Sequence, residues 1–204
     1  MLECIRGMTG DVLLPVQVYL DDTNQYWGRI DRFEKLERLQ HFREPGFPSW
    51  DAFAAGSWDE ALRIMREEGY AVTAKEFLED SEADLVSYRV RVVEFPVSPY
   101  LQWELHQLKV RAELGENIRV VGPEKVSCHE TDGVVPELIF MGDLAMYEII
   151  YDDTGLCMGG QKFTDIKLIE QCLAETRNLY AQGEDLLAFF EREIAPLPPP
   201  SRRS

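Results

Sequence analysis

The chain reads as an α+β domain built on a single mixed β-sheet, one βαβ unit followed by antiparallel hairpins, with flanking helices. Three observations predict this. Residues 88–93 alternate between two faces and are rich in valine, the pattern of a strand. Residues 99–114 then carry helical spacing, and residues 118–121 return to strand character, so that strand, helix and strand follow in the order that normally gives parallel neighbours. Three short apolar runs come next, at 138–141, 144–151 and 156–163, separated by Gly142-Asp143 and by Asp152-Asp153-Thr154-Gly155; both separators are hairpin signals.

Residues 1–46 read as an N-terminal strand and helix extension packed on the domain. Residues 12–20 are β-branched and apolar enough for a strand, with Pro15 suited to an edge. After a polar turn, Ile30, Phe33, Leu36, Leu39 and Phe42 recur at three-residue steps, which argues for an amphipathic helix ending near Pro45-Gly46. The domain proper spans 47–195. It opens on an aromatic patch, Phe47, Trp50, Phe53 and Trp58, expected in core and loop packing. Ser57 with Glu60 three residues on suggests a capping box for a helix that runs to Gly69. Residues 76–84 are acidic and read as a short solvated helix or loop.

In the first sharp strand Tyr88, Val90 and Val92 share one face while Arg89, Arg91 and Val93 share the other. Ser98 caps the following helix with Pro99 at its first position, and Gly115 ends it. At 100° per residue, Leu101, Leu105, Leu108 and Ala112 form one stripe and Trp103, Val110 and Leu114 a second, nearly opposite. Two apolar faces need two contacts: one is the sheet, the other the N-terminal segment or another protein. Gly159-Gly160 suggests a bulge near the end of the last strand. Thr164 or Asp165 opens a closing helix through Ile166, Ile169, Cys172, Leu173 and Leu179, residues 186–194 add a last amphipathic turn or two, and 196–204 form a Pro-rich tail expected to be disordered.

The charge balance is strongly acidic, 37 Asp and Glu against 21 Lys and Arg for a formal charge of −16, which argues against direct binding of a phosphate backbone. No apolar run approaches membrane-spanning length and no signal-peptide pattern opens the chain, so a cytoplasmic protein is expected. Four widely separated cysteines read as reduced thiols. Cys128-His129-Glu130 is a local cluster of metal-ligand types, but adjacent side chains point apart and no second pair stands at ligand spacing, so no metal or other cofactor is expected. Gly-x-Ser-x-Gly and phosphate-cradle motifs are absent. His106 lies on the polar flank of its helix and reads as solvated, and Glu104, with Arg111 two turns on, reads as a helix-fixing ion pair or hydrogen bond.

The run Arg89-Val90-Arg91-Val92-Val93, Pro96, Tyr100-Leu101-Gln102-Trp103-Glu104, Gly115-Glu116-Asn117-Ile118-Arg119 and Tyr151-Asp152-Asp153-Thr154-Gly155 resembles an uncharacterised actinobacterial family with a domain of unknown function, usually found near helix-turn-helix regulators. Gln102 departs from that pattern, standing where a basic residue is usual. The resemblance implies a cytoplasmic regulatory or accessory protein and carries no active site to transfer. The element order also resembles one half of the phospholipase D fold, without its His-x-Lys chemistry, since Thr131 stands two residues after His129.

Three readings of function follow. The first is a non-enzymatic interaction protein that engages a protein partner, a transcriptional regulator among the candidates, through an exposed face of the 100–114 helix carrying Trp103, Val110 and Leu114. The second is a small-molecule sensor or divergent enzyme with a pocket at the strand ends lined by Arg89 or Arg91, Tyr100 and Glu104. The third is a homodimer that uses the Trp103 stripe at its own interface.

Overall fold

The structure, a computed structural model, describes residues 2–5, 8, 10–82, 84–131 and 133–200. In chain order its elements are α1 (Leu2–Ile5), β1 (Val12–Pro15), α2 (Val16–Asn24), β2 (Arg32–Glu37), α3 (Pro48–Ala54), α4 (Trp58–Ile64), α5 (Tyr70–Glu82), β3 (Val86–Val92), α6 (Pro99–Glu113), β4 (Asn117–Val121), α7 (Pro123–Val126), β5 (Leu138–Met141), β6 (Ala145–Tyr151), β7 (Cys157–Phe163), α8 (Ile166–Gln182), β8 (Glu184–Asp185) and α9 (Leu186–Phe189). Among the described residues eight strands form one mixed sheet in the order β1-β7-β6-β5-β2-β3-β4-β8. The α+β class, the β3-α6-β4 unit and the hairpins stand as expected. β2, β3 and β4 are mutually parallel, and β5, β6 and β7 are antiparallel.

Residues 30–42 are not a helix. They hold β2, which lies in the middle of the sheet between parallel β3 and antiparallel β5. The three-residue spacing of apolar side chains misleads here because both faces of β2 carry buried charge: Glu34 on one, Glu37 on the other. The 1–46 segment therefore supplies two strands of the sheet itself. The apolar run 12–20 is likewise split, with β1 closing at Pro15 and α2 beginning at the next residue.

One face of the sheet packs on α8. Leu36, Val90, Val92, Leu138, Phe140 and Met146 meet Ile169, Cys172, Leu173 and Leu179 there. Asp165 caps α8 by accepting from the backbone N–H groups of Lys167 and Leu168, which satisfies two donors that a helix start leaves free. On the opposite face, Leu101, Leu105 and Leu108 of α6 pack on Ile118 and Val120 and on Phe189 and Phe190 beyond. The second stripe of α6 is covered as well: Trp103 and Val110 sit with Phe42, Trp50, Ala61 and Met65, contributed by α3, α4 and the segments beside them.

Smaller departures have local causes. Ser57 precedes α4 without a side-chain cap, and the helix does not end at Gly69 but passes through a π turn at Met65–Gly69 into α5. The bulge lies at the start of β7, where Ile150 pairs with Gly159 and Tyr151 with Cys157. Gly159 has φ +140, and a Cβ there would lie 1.9 Å from the Leu14 carbonyl oxygen, so β1 can pair only with a glycine. Ile166, expected on the packed side of α8, is 61% exposed. The tail expected to be disordered falls partly on 201–204, outside the described residues, while Leu197 and Pro198 lie beside α6.

Candidate functional site

Alternation along β2 and β3 puts Lys35, Glu37, Arg89 and Arg91 on the face that meets α6, and parallel pairing aligns Lys35 with Arg89 and Glu37 with Arg91. Around them a buried ion network closes. Arg89 Nη1 donates to Glu37 Oε2 at 2.7 Å and its Nε to Glu116 Oε1 at 2.7 Å. Arg111 Nε donates to the other Glu116 oxygen, and Lys35 Nζ lies 2.6 Å from Glu37 Oε1. Arg91, fully buried, donates from Nε to Glu104 Oε2 at 2.8 Å, and its Nη2 stands 2.7 Å from the same oxygen, close enough to pair but poorly aligned for a hydrogen bond. Its Nη1 donates to the Glu37 and Val92 carbonyls. Tyr100 Oη donates to Glu44 Oε1 at 2.6 Å and stands 3.3 Å from Glu104 Oε1.

Electrostatics separate the carboxylates into two kinds. Burial pushes Glu37 and Glu116 up, but the neighbouring cations outweigh it, Arg89 foremost, with Lys35 and Arg91 at Glu37 and Arg111 at Glu116, and hold both below the usual range. At Glu104 burial wins over Arg91, with Glu37 adding repulsion, and the carboxyl is pushed up to about 7. Glu137 is also pushed up to about 7 by burial, with Arg91 opposing and Glu37 adding. Its Oε1 accepts from the backbone N–H groups of Arg38 and Leu39 at 2.6 and 2.5 Å, while Oε2 has no donor. This network clamps α6 to the sheet. Within it Arg89 and Arg91 are each occupied by carboxylates.

Above the network lies an open aromatic groove. Its volume is about 530 Å³, and its walls include His41, Arg43, Trp50, Phe53, Trp58 and Pro99. His41, Phe53 and Pro99 also border a neighbouring hollow of about 960 Å³ that reaches Tyr100 and Gln102. The floor is rigid: Phe53 stacks on Trp103 with ring centroids 5.8 Å apart, and Trp103 Nε1 donates to Ser49 Oγ at 3.0 Å. Ser49 in turn donates to the Ala61 carbonyl, tying α3 to α4. Trp50 is 9% exposed, and its indole N–H has no acceptor. Pro200 belongs to the walls of both hollows, and Gln102 Nε2 donates to the Pro198 carbonyl at 3.0 Å, so the C-terminal segment lies along the opening.

The predicted site residues thus divide. Arg89, Arg91, Tyr100 and Glu104 converge, but as a mutually satisfied buried network; of the four, Tyr100 reaches the hollow. Trp103, at 1% exposed, Val110 and the half-buried Leu114 do not form an exposed face, because they pack in one cluster with Phe42, α3, α4 and Met65 of the π turn. Glu104 pairs with Arg91, not with Arg111. His106 is not solvated: it packs edge-on to Trp58 and Phe190, and burial, helped by Arg66 and Lys109, lowers it to about 4. In the Cys128-His129-Glu130 cluster, Glu130 receives Arg38 Nε at 2.6 Å, and among the described residues no three His, Cys, Asp or Glu side chains converge so that they could hold a metal ion.

Sequence reasoning missed Glu37 and Glu137, which become site residues only once β2 is known to be a strand. It saw Trp50, Phe53 and Trp58 but assigned all of them to packing. No described helix is long and apolar enough to cross a membrane. Searches of curated proteins and of solved structures returned no match. The family model described as a domain of unknown function, DUF6879, matches residues 21–191, which is most of the chain, and the chain belongs to that family.

Proposed function

We propose that this chain is a non-enzymatic, cytoplasmic regulatory or accessory protein that engages a protein partner through the aromatic groove over α3 and α6. One observation carries this reading: the accessible concavity is walled by Trp50, Phe53, Trp58, His41 and Pro99, whereas Arg89 and Arg91 are buried and paired with Glu37, Glu116 and Glu104. Rigid aromatic side chains in a concave surface supply large contact area at low entropic cost, the usual make-up of an interface hot spot. The interaction surface is thereby moved from the Trp103 stripe to the groove that Trp103 supports. The family resemblance makes a helix-turn-helix regulator the first partner to test.

The test is a tagged capture from the native host, followed by reconstitution with the purified partner, comparing the wild type with Trp58→Ala and Phe53→Ser. A partner that binds the purified wild type and is lost in folded groove variants supports the reading. A partner that binds these variants undiminished, or a folded bait that captures nothing, refutes it.

The alternative, a small-molecule sensor or divergent enzyme, is favoured by one feature, the donor-less Glu137 Oε2 beside Arg91 at the end of β2. The atom is buried, so a ligand would have to part the packing at this end of β2 to reach it. Thermal shift against cationic and hydroxylated metabolites tests it, and a flat response that Glu137→Gln does not alter counts against it.

A further inference from the structure

Resting on the groove as the interaction surface, we propose that its ligand is an extended proline-rich segment of the partner, and that the chain's own Leu197–Pro200 is a resident occupant which this segment displaces. The argument begins with sterics. Leu197, Pro198 and Pro199 each precede a proline, which disfavours helical geometry at each and biases Pro198–Pro200 toward an extended backbone. Prolines also lack an N–H, so the segment Pro198–Pro200 offers carbonyl acceptors and ring surfaces, with no backbone donors to satisfy.

The groove is the complement of such a segment. It offers aromatic faces at Phe53 and Trp58, and a side-chain donor at Gln102. Gln102 Nε2 already donates to the Pro198 carbonyl. Aromatic grooves that bind pre-extended proline segments use this pairing of ring stacking with donation to carbonyls, and the extended form loses little entropy on docking. The tail's position is the strongest sign. Gln102 holds Pro198 at one end, Pro200 closes a wall shared with Trp50 and Trp58 at the other, and Leu197 lies against the same hollow as Phe53 and Tyr100. A tethered segment competes at high effective concentration, so it sets a threshold that an incoming ligand must exceed.

The probe is a fluorescein-labelled peptide with the sequence of residues 195–204, titrated by anisotropy into the full chain. A tail variant, Pro198→Ser/Pro199→Ser/Pro200→Ser, unseats the occupant. It should bind the probe about fivefold or more tighter than the wild type, because the vacant fraction of the groove rises. Gln102→Ala removes the donor from tail and probe alike, so it should weaken the probe on the tail variant while changing apparent affinity for the chain with its tail intact much less. Trp58→Ala in the tail-variant background should abolish binding, with circular dichroism showing the fold retained, and a peptide with its prolines replaced by alanine should not bind. Equal affinity of wild type and tail variant overturns the inference, as does equal binding of the alanine peptide. Absence of probe binding alongside a partner complex that still depends on Trp58 also overturns it while leaving the interaction reading in place; a partner complex indifferent to Trp58 removes that reading instead.

Discussion

Replacing Arg91 by methionine isolates the ion network from the apolar packing around it. The side chain is fully buried and pairs with Glu104, donates to two carbonyls and offsets Glu37 and Glu137. Methionine fills a similar space, so the lost term is electrostatic, and removing one member of a buried ion pair costs about 3–5 kcal/mol. Glu104 can limit that loss by taking up a proton, since it is already pushed up to about 7 and loses its one ion-pair partner here. The sign follows: a carboxyl with a raised folded-state pKa contributes stability that is full below its ordinary 4.5 and is lost as pH rises through the folded value. Arg91→Met should therefore cost more at pH 8 than at pH 5. Adding Glu104→Met removes one of the stranded carboxyls and should recover part of the loss, giving a coupling energy of about 1–3 kcal/mol in a double-mutant cycle. Equilibrium urea unfolding followed by tryptophan fluorescence measures each corner. A cost below about 1 kcal/mol for the single variant, or additivity within about 0.5 kcal/mol, would refute the view that these groups act as one buried network.

Trp103→Ala should destabilise the fold by about 3–5 kcal/mol, because its indole is enclosed by Phe47, Phe53 and Tyr100; a urea midpoint close to wild type would contradict that packing. Glu137→Gln should gain on the wild type as pH rises from 4.5 to about 7, by up to about 1.4 kcal/mol per pH unit, since the wild-type carboxyl must shed its proton against burial; parallel stability–pH curves would show that Glu137 is not held protonated. Gly159→Ala should cost about 2 kcal/mol or more through the collision with the Leu14 carbonyl and the positive φ, detected as lost hydrogen-exchange protection in β1 ahead of the rest of the sheet.

Much of the frame is legible from residue pattern. The 88–121 unit shows because β3 alternates cleanly and because Ser98, Pro99 and Gly115 punctuate α6 at both ends. The two stripes of α6 were legible too, but periodicity says only that a face is covered, not by what. β2 was illegible for a specific reason. Its buried positions include Glu34 and Glu37, so a burial pattern inferred from hydrophobicity selects the wrong residues and the wrong period. The candidate groove shows the same limit, since Trp50, Phe53 and Trp58 look alike in sequence, and only their placement separates a wall residue with an unused N–H from a packed one.

The charges between β2 and β3 also discriminate among ways of assembling the sheet. Two parallel strands can slide by two residues and still keep every inward side chain inward, so hydrophobic patterning alone leaves several alignments nearly equivalent. Here such a slide has a large penalty. Moved one way, Glu37 faces Val93 and Arg89 loses Glu37; moved the other, Arg91 runs past the end of β2 and away from the Glu37 carbonyl that now receives it. Either error removes one partner of a buried guanidinium, which keeps only its carboxylate outside β2, Glu116 for Arg89 or Glu104 for Arg91, at a cost of about 1–3 kcal/mol. The ionic seam therefore acts as a key for strand alignment, and a chain carrying neutral side chains at these positions would be expected to lose uniqueness of pairing before it loses compactness.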